Sequence, residues 1–104
     1  MNLLGPLITS KTRLKLISRF FLNQNLSGYL QGLSKELEEN TNSIRVELNR
    51  LEEAGMLNSI IEGRRKLSRV NAFHPLASDI TSIVRKVAGI DTVIDRVVDN
   101  LPGL

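Results

Sequence analysis

Asn42, Arg45, Val46 and Asn49 gather on one side when residues 42–54 are wound at about 100° per residue, with Ser43 and Arg50 at the edges of that face. An amide carries a donor beside an acceptor and a guanidinium carries paired donors. Such a face can bond bidentately to planar base edges, Asn to adenine and Arg to guanine, and Val46 can meet a thymine methyl. Farther along, Arg64, Arg65 and Lys66 follow Gly63 in IIEGRRKLSRV, residues 60–70, between two runs rich in Ile, Leu and Val. Three cations at a chain reversal suit phosphate oxygens, or the minor groove beside them, where the potential is negative. The bland alternative is a charged tip that blunts a hairpin edge.

Nothing comparable suggests catalysis. His74 is the sole histidine and stands beside Pro75, which gives it a role in helix entry. Glu38-Glu39 and Glu52-Glu53 are adjacent in sequence, so each pair diverges on a helix and makes a poor general acid and base. The chain has no cysteine, which rules out disulfides and thiolate metal sites. No enzyme activity, no cofactor and no metal site is expected.

The charges are unevenly placed. Net charge is only +3, yet residues 1–35 contain Lys11, Arg13, Lys15, Arg19 and Lys35 without an acid. Residues 36–62 hold seven acids against Arg45 and Arg50, and then Arg64, Arg65, Lys66 and Arg69 follow. Lys11, Lys15 and Arg19, spaced i, i+4 and i+8, repel one another unless an anion lies nearby; they can touch a polyanion's backbone or face the acids of residues 36–39. With 104 residues, 41% of them hydrophobic, the chain suits one domain with a modest core. Its apolar runs are far shorter than the roughly 20 residues of a membrane span, and residues 1–11 lack a signal pattern, so a cytoplasmic location is expected.

The elements that must position these residues follow from periodicity. Ser10 caps a helix running to about Leu22, with Leu14, Leu16, Ile17, Phe20 and Phe21 as its apolar stripe. Ser27 is the expected cap of a short second helix bearing Leu30, Leu33 and Leu37. Asn40 is expected to take the left-handed backbone of the next turn. A third helix, buried through Ile44, Leu48 and Leu51, ends before Gly55. The two helices with their short turn form a helix-turn-helix signature. Leu57–Glu62 and Arg65–Val70 then pair across Gly63-Arg64, a turn with glycine at its first central position. In that register Ile60 opposes Leu67 and Leu57 opposes Val70. The two pairs point to opposite faces, leaving open which is core and whether a bulge intervenes.

Pro75 is expected in the first turn of a fourth helix, striped by Leu76, Ile80, Ile83, Val84 and Val87. Gly89 interrupts it, and Ile90, Ile94, Val97 and Leu101 continue the spacing, widened by Val93 and Val98. This apolar surface exceeds what a core already supplied by three helices and a hairpin needs, so residues 76–101 are expected to form a homodimer.

TRLKLISRFFLN, YLQGLSKEL, TNSIRVELNRLEEAGML and EGRRKLSRVNAFHPL, in this order and spacing, resemble the winged helix-turn-helix domains of ArsR-like transcriptional regulators. Within these the chain looks closest to the subgroup fused to a nucleotidyltransferase-like domain. The resemblance covers about residues 8–90. It implies a mainly α fold with a small β-hairpin and additional C-terminal helices: a winged helix-turn-helix domain over residues 1–75 and a dimerisation segment over 76–104. It also implies dimeric binding to double-stranded DNA, with Asn42, Ser43, Arg45, Val46, Asn49 and Arg50 in the major groove and Arg64, Arg65 and Lys66 on phosphates or the minor groove. The alternative is an interaction module that dimerises or holds a nucleotidyltransferase-like partner, with weak or no DNA binding. Gly32, Ser34 and Glu39-Asn40 depart from the family pattern and put the rigidity of helix two in question.

Overall fold

The computed structural model describes residues 3–99, with side chains as far as Ile90. Its elements run α1 (Lys11–Leu22), β1 (Ser27–Tyr29), α2 (Leu30–Leu37), α3 (Thr41–Glu53), β2 (Leu57–Glu62), β3 (Arg65–Val70) and α4 (Ala77–Asp99). Strands are ordered β1-β3-β2, all antiparallel. The winged helix-turn-helix expected from the sequence is present, with one strand more than a hairpin.

Ser10 does cap α1, its hydroxyl accepting from the Arg13 amide at 3.2 Å. Leu16, Phe20 and Phe21 of α1 are fully buried and meet Leu33 of α2, Ile44, Leu48 and Leu51 of α3, and Leu57 and Val70 of the sheet. Each large side chain removed from water contributes about 2 kcal/mol, so this cluster is the main source of stability. The register pairs Leu57 with Val70 and Ile60 with Leu67 without a bulge. Leu57 and Val70 lie on the buried face, while Ile60 is exposed.

Ser27 is not a helix cap. It lies in β1 opposite Arg69, and α2 starts after Tyr29 with no side-chain cap. The sequence gives no alternation there because three residues are too short to show one. Gly28 sits in this strand for lack of room, since a Cβ would stand 2.9 Å from Leu33 Cγ. Nor does Asn40 take the left-handed turn. Glu38 does, at φ 54°, while Asn40 stays at φ −59° and caps α3, accepting from the amides of Asn42 at 2.7 Å and Ser43 at 3.4 Å. Asn is worth more as a cap, where its oxygen satisfies helix donors, than as a turn residue. Ser34 secures the same turn by donating to the Glu39 carbonyl at 2.5 Å.

Gly55, at φ 75°, ends α3 as expected, and Gly63, at φ 64°, opens the two-residue turn between β2 and β3. The Asn71 amide donates to the Gly55 carbonyl at 2.8 Å and ties this corner to the loop before α4. His74 fills the helix-entry role, its Nδ1 accepting from the Leu76 amide at 3.1 Å. Pro75 lies in the turn before α4 rather than inside it. Gly89 does not interrupt: α4 is one helix through Asp99, not two. A helical glycine costs about 1 kcal/mol, which continuous neighbours can absorb. Ala77, Thr81 and Val84 bury the inner side of α4, which packs on α1. The expected segment beyond Asp99 lies outside the described residues.

Candidate nucleic-acid interface

The face of α3 is set by what the opposite side buries. Ile44, Leu48 and Leu51 enter the core, so Asn42, Arg45, Val46, Asn49 and Arg50 are exposed, with Ser43 half-buried. Arg45 Nη1 donates to Asn42 Oδ1 at 3.3 Å. That bond takes up one of the two acceptor positions of the Asn42 carbonyl.

Glu47 is the surprise on this helix. Only 5% exposed, its carboxylate receives Arg13 Nε at 2.8 Å, Arg50 Nη1 at 3.1 Å and the Ser10 hydroxyl at 3.5 Å. A buried charge needs such compensation. The result anchors α3 to the start of α1 and holds Arg50 at the edge of the exposed face. The sequence reading did not single out Glu47, because its partners Arg13 and Ser10 lie on another element.

The helix and the wing meet across a cleft of about 230 Å³ lined by Arg45, Leu48, Asn49, Glu52, Lys66, Ser68 and Leu30. Arg45 and Asn49 of α3 therefore share one concavity with Lys66 of β3. Glu52 bridges it, accepting from Lys66 Nζ at 2.6 Å and from the Ser59 hydroxyl at 2.6 Å. These two donors hold the Glu52 carboxyl below its ordinary value, Lys66 contributing most.

The three consecutive cations do not form one patch. Strand alternation sends Arg65 and Lys66 to opposite faces, and Arg64 occupies the exposed turn. Among the described residues Arg64 makes no ion pair, Lys66 is held by Glu52, and Arg65 stacks over the Tyr29 ring with its guanidinium carbon 3.5 Å from the centroid. Tyr29, on the added strand β1, went unseen in the sequence because its neighbours are known only once β1 pairs with β3.

Lys15 and Arg19 face the acids rather than solvent. Lys15 Nζ pairs with Glu39 at 3.0 Å and donates to the Leu37 carbonyl at 2.8 Å. Arg19 Nε pairs with Glu36 at 2.9 Å, and its Nη2 donates to the Ser27 carbonyl. Glu36 of α2 and Glu39 of the turn after it thus neutralise Arg19 and Lys15 locally, which leaves Lys11 as the exposed cation of that row.

No group of three or more metal-ligating side chains occurs among the described residues, and no described helix is long and apolar enough to cross a membrane. No protein-family model and no curated protein matches the chain. Solved structures do. Reduced HlyU from Vibrio cholerae superimposes with TM-score 0.62 at 14% identity, covering 84% of this chain and 83% of its own. MepR, a transcription regulator of the Staphylococcus aureus multidrug efflux pump MepA, gives 0.64 at 13% identity over 96% of this chain and 71% of its own. The homodimeric winged helix-turn-helix DNA-binding domain Mb0332 from Mycobacterium bovis, a possible ArsR-family transcriptional regulator, gives 0.58 at 16% identity over 83% and 75%. At these identities the likeness speaks for architecture, and it agrees with the strand order and helix placement above: this chain is a winged helix-turn-helix.

Proposed function

We propose that the chain is a sequence-specific regulator of transcription that binds double-stranded DNA as a homodimer. Helix α3 enters the major groove and the β2–β3 wing meets phosphates or the adjacent minor groove. The supporting observation is the shared cleft: the exposed edge of α3, with Arg45 and Asn49, opens on the same side as Lys66 of the wing. In this reading Asn42 and Asn49 are amide readers of adenine, Arg45 and Arg50 contact guanine or phosphate, and Val46 and Ser43 complete the groove surface. Arg64, Arg65 and Lys66 supply phosphate or minor-groove contacts. HlyU, MepR and Mb0332 lend this reading support by analogy of fold.

Dimerisation has its own support. Leu76, just before α4, is 50% exposed, and Ile83 50% and Ile90 39% follow at seven-residue spacing on the helix; Ile80 and Val87 between them are half-buried, Ile80 against the core. The sequence carries the same alternation of three and four through Ile94, Val97 and Leu101. A heptad seam on an outward helix face fits a second copy of itself. Two such protomers would present their α3 helices to half-sites about one helical turn apart, ~34 Å.

A protein-binding microarray of duplex sequences tests the proposal, followed by titration of the best site at increasing salt. Selective binding that weakens steeply with salt is expected. Absence of binding at low salt, or binding untouched by joint Arg64→Ala, Arg65→Ala and Lys66→Ala changes, would refute the role given to the wing.

A further inference from the structure

The β2–β3 register sets Glu62 directly opposite Arg65. Opposite charges in that position ordinarily pair across the ladder. Here no such ion pair forms among the described residues; instead the side chain of Tyr29, reaching over from β1, engages both partners. Its hydroxyl donates to Glu62 Oε2 at 2.5 Å, and its ring carries the Arg65 guanidinium at 3.5 Å from the centroid. Tyr29, Arg65 and Glu62 share the outer face of the sheet, away from the core face of Leu57, Ser68 and Val70. The bond to Glu62 raises the Tyr29 pKa above its ordinary value, so the phenol keeps its proton and remains a donor.

We infer that Tyr29 is a positioning residue for the wing: it occupies the Glu62 carboxylate and stacks the Arg65 guanidinium, keeping that charge available to a nucleic-acid phosphate. The inference rests on the DNA-binding reading above and adds to it a residue outside both the recognition helix and the wing. Two physical effects cooperate. A stacked guanidinium loses rotamer freedom before binding rather than during it, and its donors remain in the ring-parallel plane, open to an oxyanion. A carboxylate already satisfied by a phenol competes less for the arginine. Without the ring, Arg65 and Glu62 would neutralise each other at the very tip that must approach a polyanion.

The test uses fluorescence anisotropy with the highest-ranked duplex from the array, over a salt series. Tyr29→Leu is expected to weaken binding about two- to fivefold, the worth of an exposed cation–π contact, and to flatten the salt slope toward that of Arg65→Ala, which itself loses about one unit. In the Arg65→Ala background Tyr29→Leu should add nothing. Adding Glu62→Gln to Tyr29→Leu should restore the salt slope, because the competing carboxylate is gone. A merely structural tyrosine predicts otherwise: its loss would persist in the Arg65→Ala background and would track a lowered melting temperature. That result, or Tyr29→Leu binding like the wild type, overturns the role of Tyr29 while leaving DNA binding standing. If the wild-type chain binds no duplex, the DNA reading falls and this inference with it.

Discussion

Lys66 Nζ stands 2.6 Å from Glu52 Oε2, so the wing's third cation belongs as much to helix α3 as to strand β3. The pair is half-exposed and contributes under about 1 kcal/mol to stability. Its larger effect is geometric, since Glu52 also takes the Ser59 hydroxyl and so fixes both wing strands relative to the helix. Glu52→Gln should leave the melting temperature within a few degrees of wild type. It should strengthen binding to unrelated duplexes, by freeing Lys66, while narrowing the gap between the best site and those duplexes. Paired titrations of specific and scrambled duplexes check this, and an unchanged ratio would show that Glu52 does not set the wing's position.

The same carboxyl gives a pH signature. Glu52 and Glu39 are both held below the usual 4.5, Glu52 chiefly by Lys66 and Glu39 chiefly by Lys15. A depressed folded value means that the unfolded chain takes up protons first as the solution is acidified. These contacts therefore support the fold fully above pH 4.5 and are lost as pH falls through the lower folded values. Melting temperature should be level near neutrality and fall as the pH drops through that window. The joint variant Glu52→Gln, Glu39→Gln should show a shallower acid limb in scans from pH 7 down to about 3.

Much of this was legible in the sequence, and the failures share a cause. Helix α3 and both wing strands follow from strong local signals: a 3.6-residue stripe, glycines where positive φ is needed, and β-branched runs. Ser27 misled because a serine before an apolar helix looks like a cap, whereas its place in β1 is decided by Arg69, far along the chain. Glu38 took the left-handed turn because Asn40 was committed to capping α3. For the candidate site, periodicity brought out the exposed residues of α3. It could not show that Arg64, Arg65 and Lys66 part company, because their separate partners Tyr29 and Glu52 lie on other elements.

Two glycines should respond with opposite signs to the same change. At Gly28 a Cβ would lie 2.9 Å from both Cγ and Cδ2 of Leu33, a core residue 1% exposed that has nowhere to move. Gly28→Ala should cost about 1–3 kcal/mol as overpacking. At Gly32, exposed in α2, a Cβ would meet nothing within 4 Å, so Gly32→Ala should stabilise by up to about 1 kcal/mol. Urea unfolding of both variants reads the two signs. The second result would also show that the departure at Gly32 softens α2 without serving a contact.

The outward stripe of α4 gives the sharpest separation of fold from assembly. Ile83 and Ile90 are half-exposed and absent from the core cluster, whereas Val84, one residue from Ile83, is 3% exposed within it. Charge placed on the stripe should leave each protomer folded, since a glutamate there reaches water in the monomer; in a seam between two copies it would be desolvated and would face its own copy. Ile83→Glu with Ile90→Glu is therefore expected to yield monomers with helix content unchanged, by sedimentation and circular dichroism. Val84→Glu should instead unfold the protomer. If the monomers still bind DNA, they should do so more weakly, through one half-site, with about half the wild-type salt slope because the phosphate contacts of one protomer are lost. An assembly unaltered by both glutamates would place any self-association on another surface.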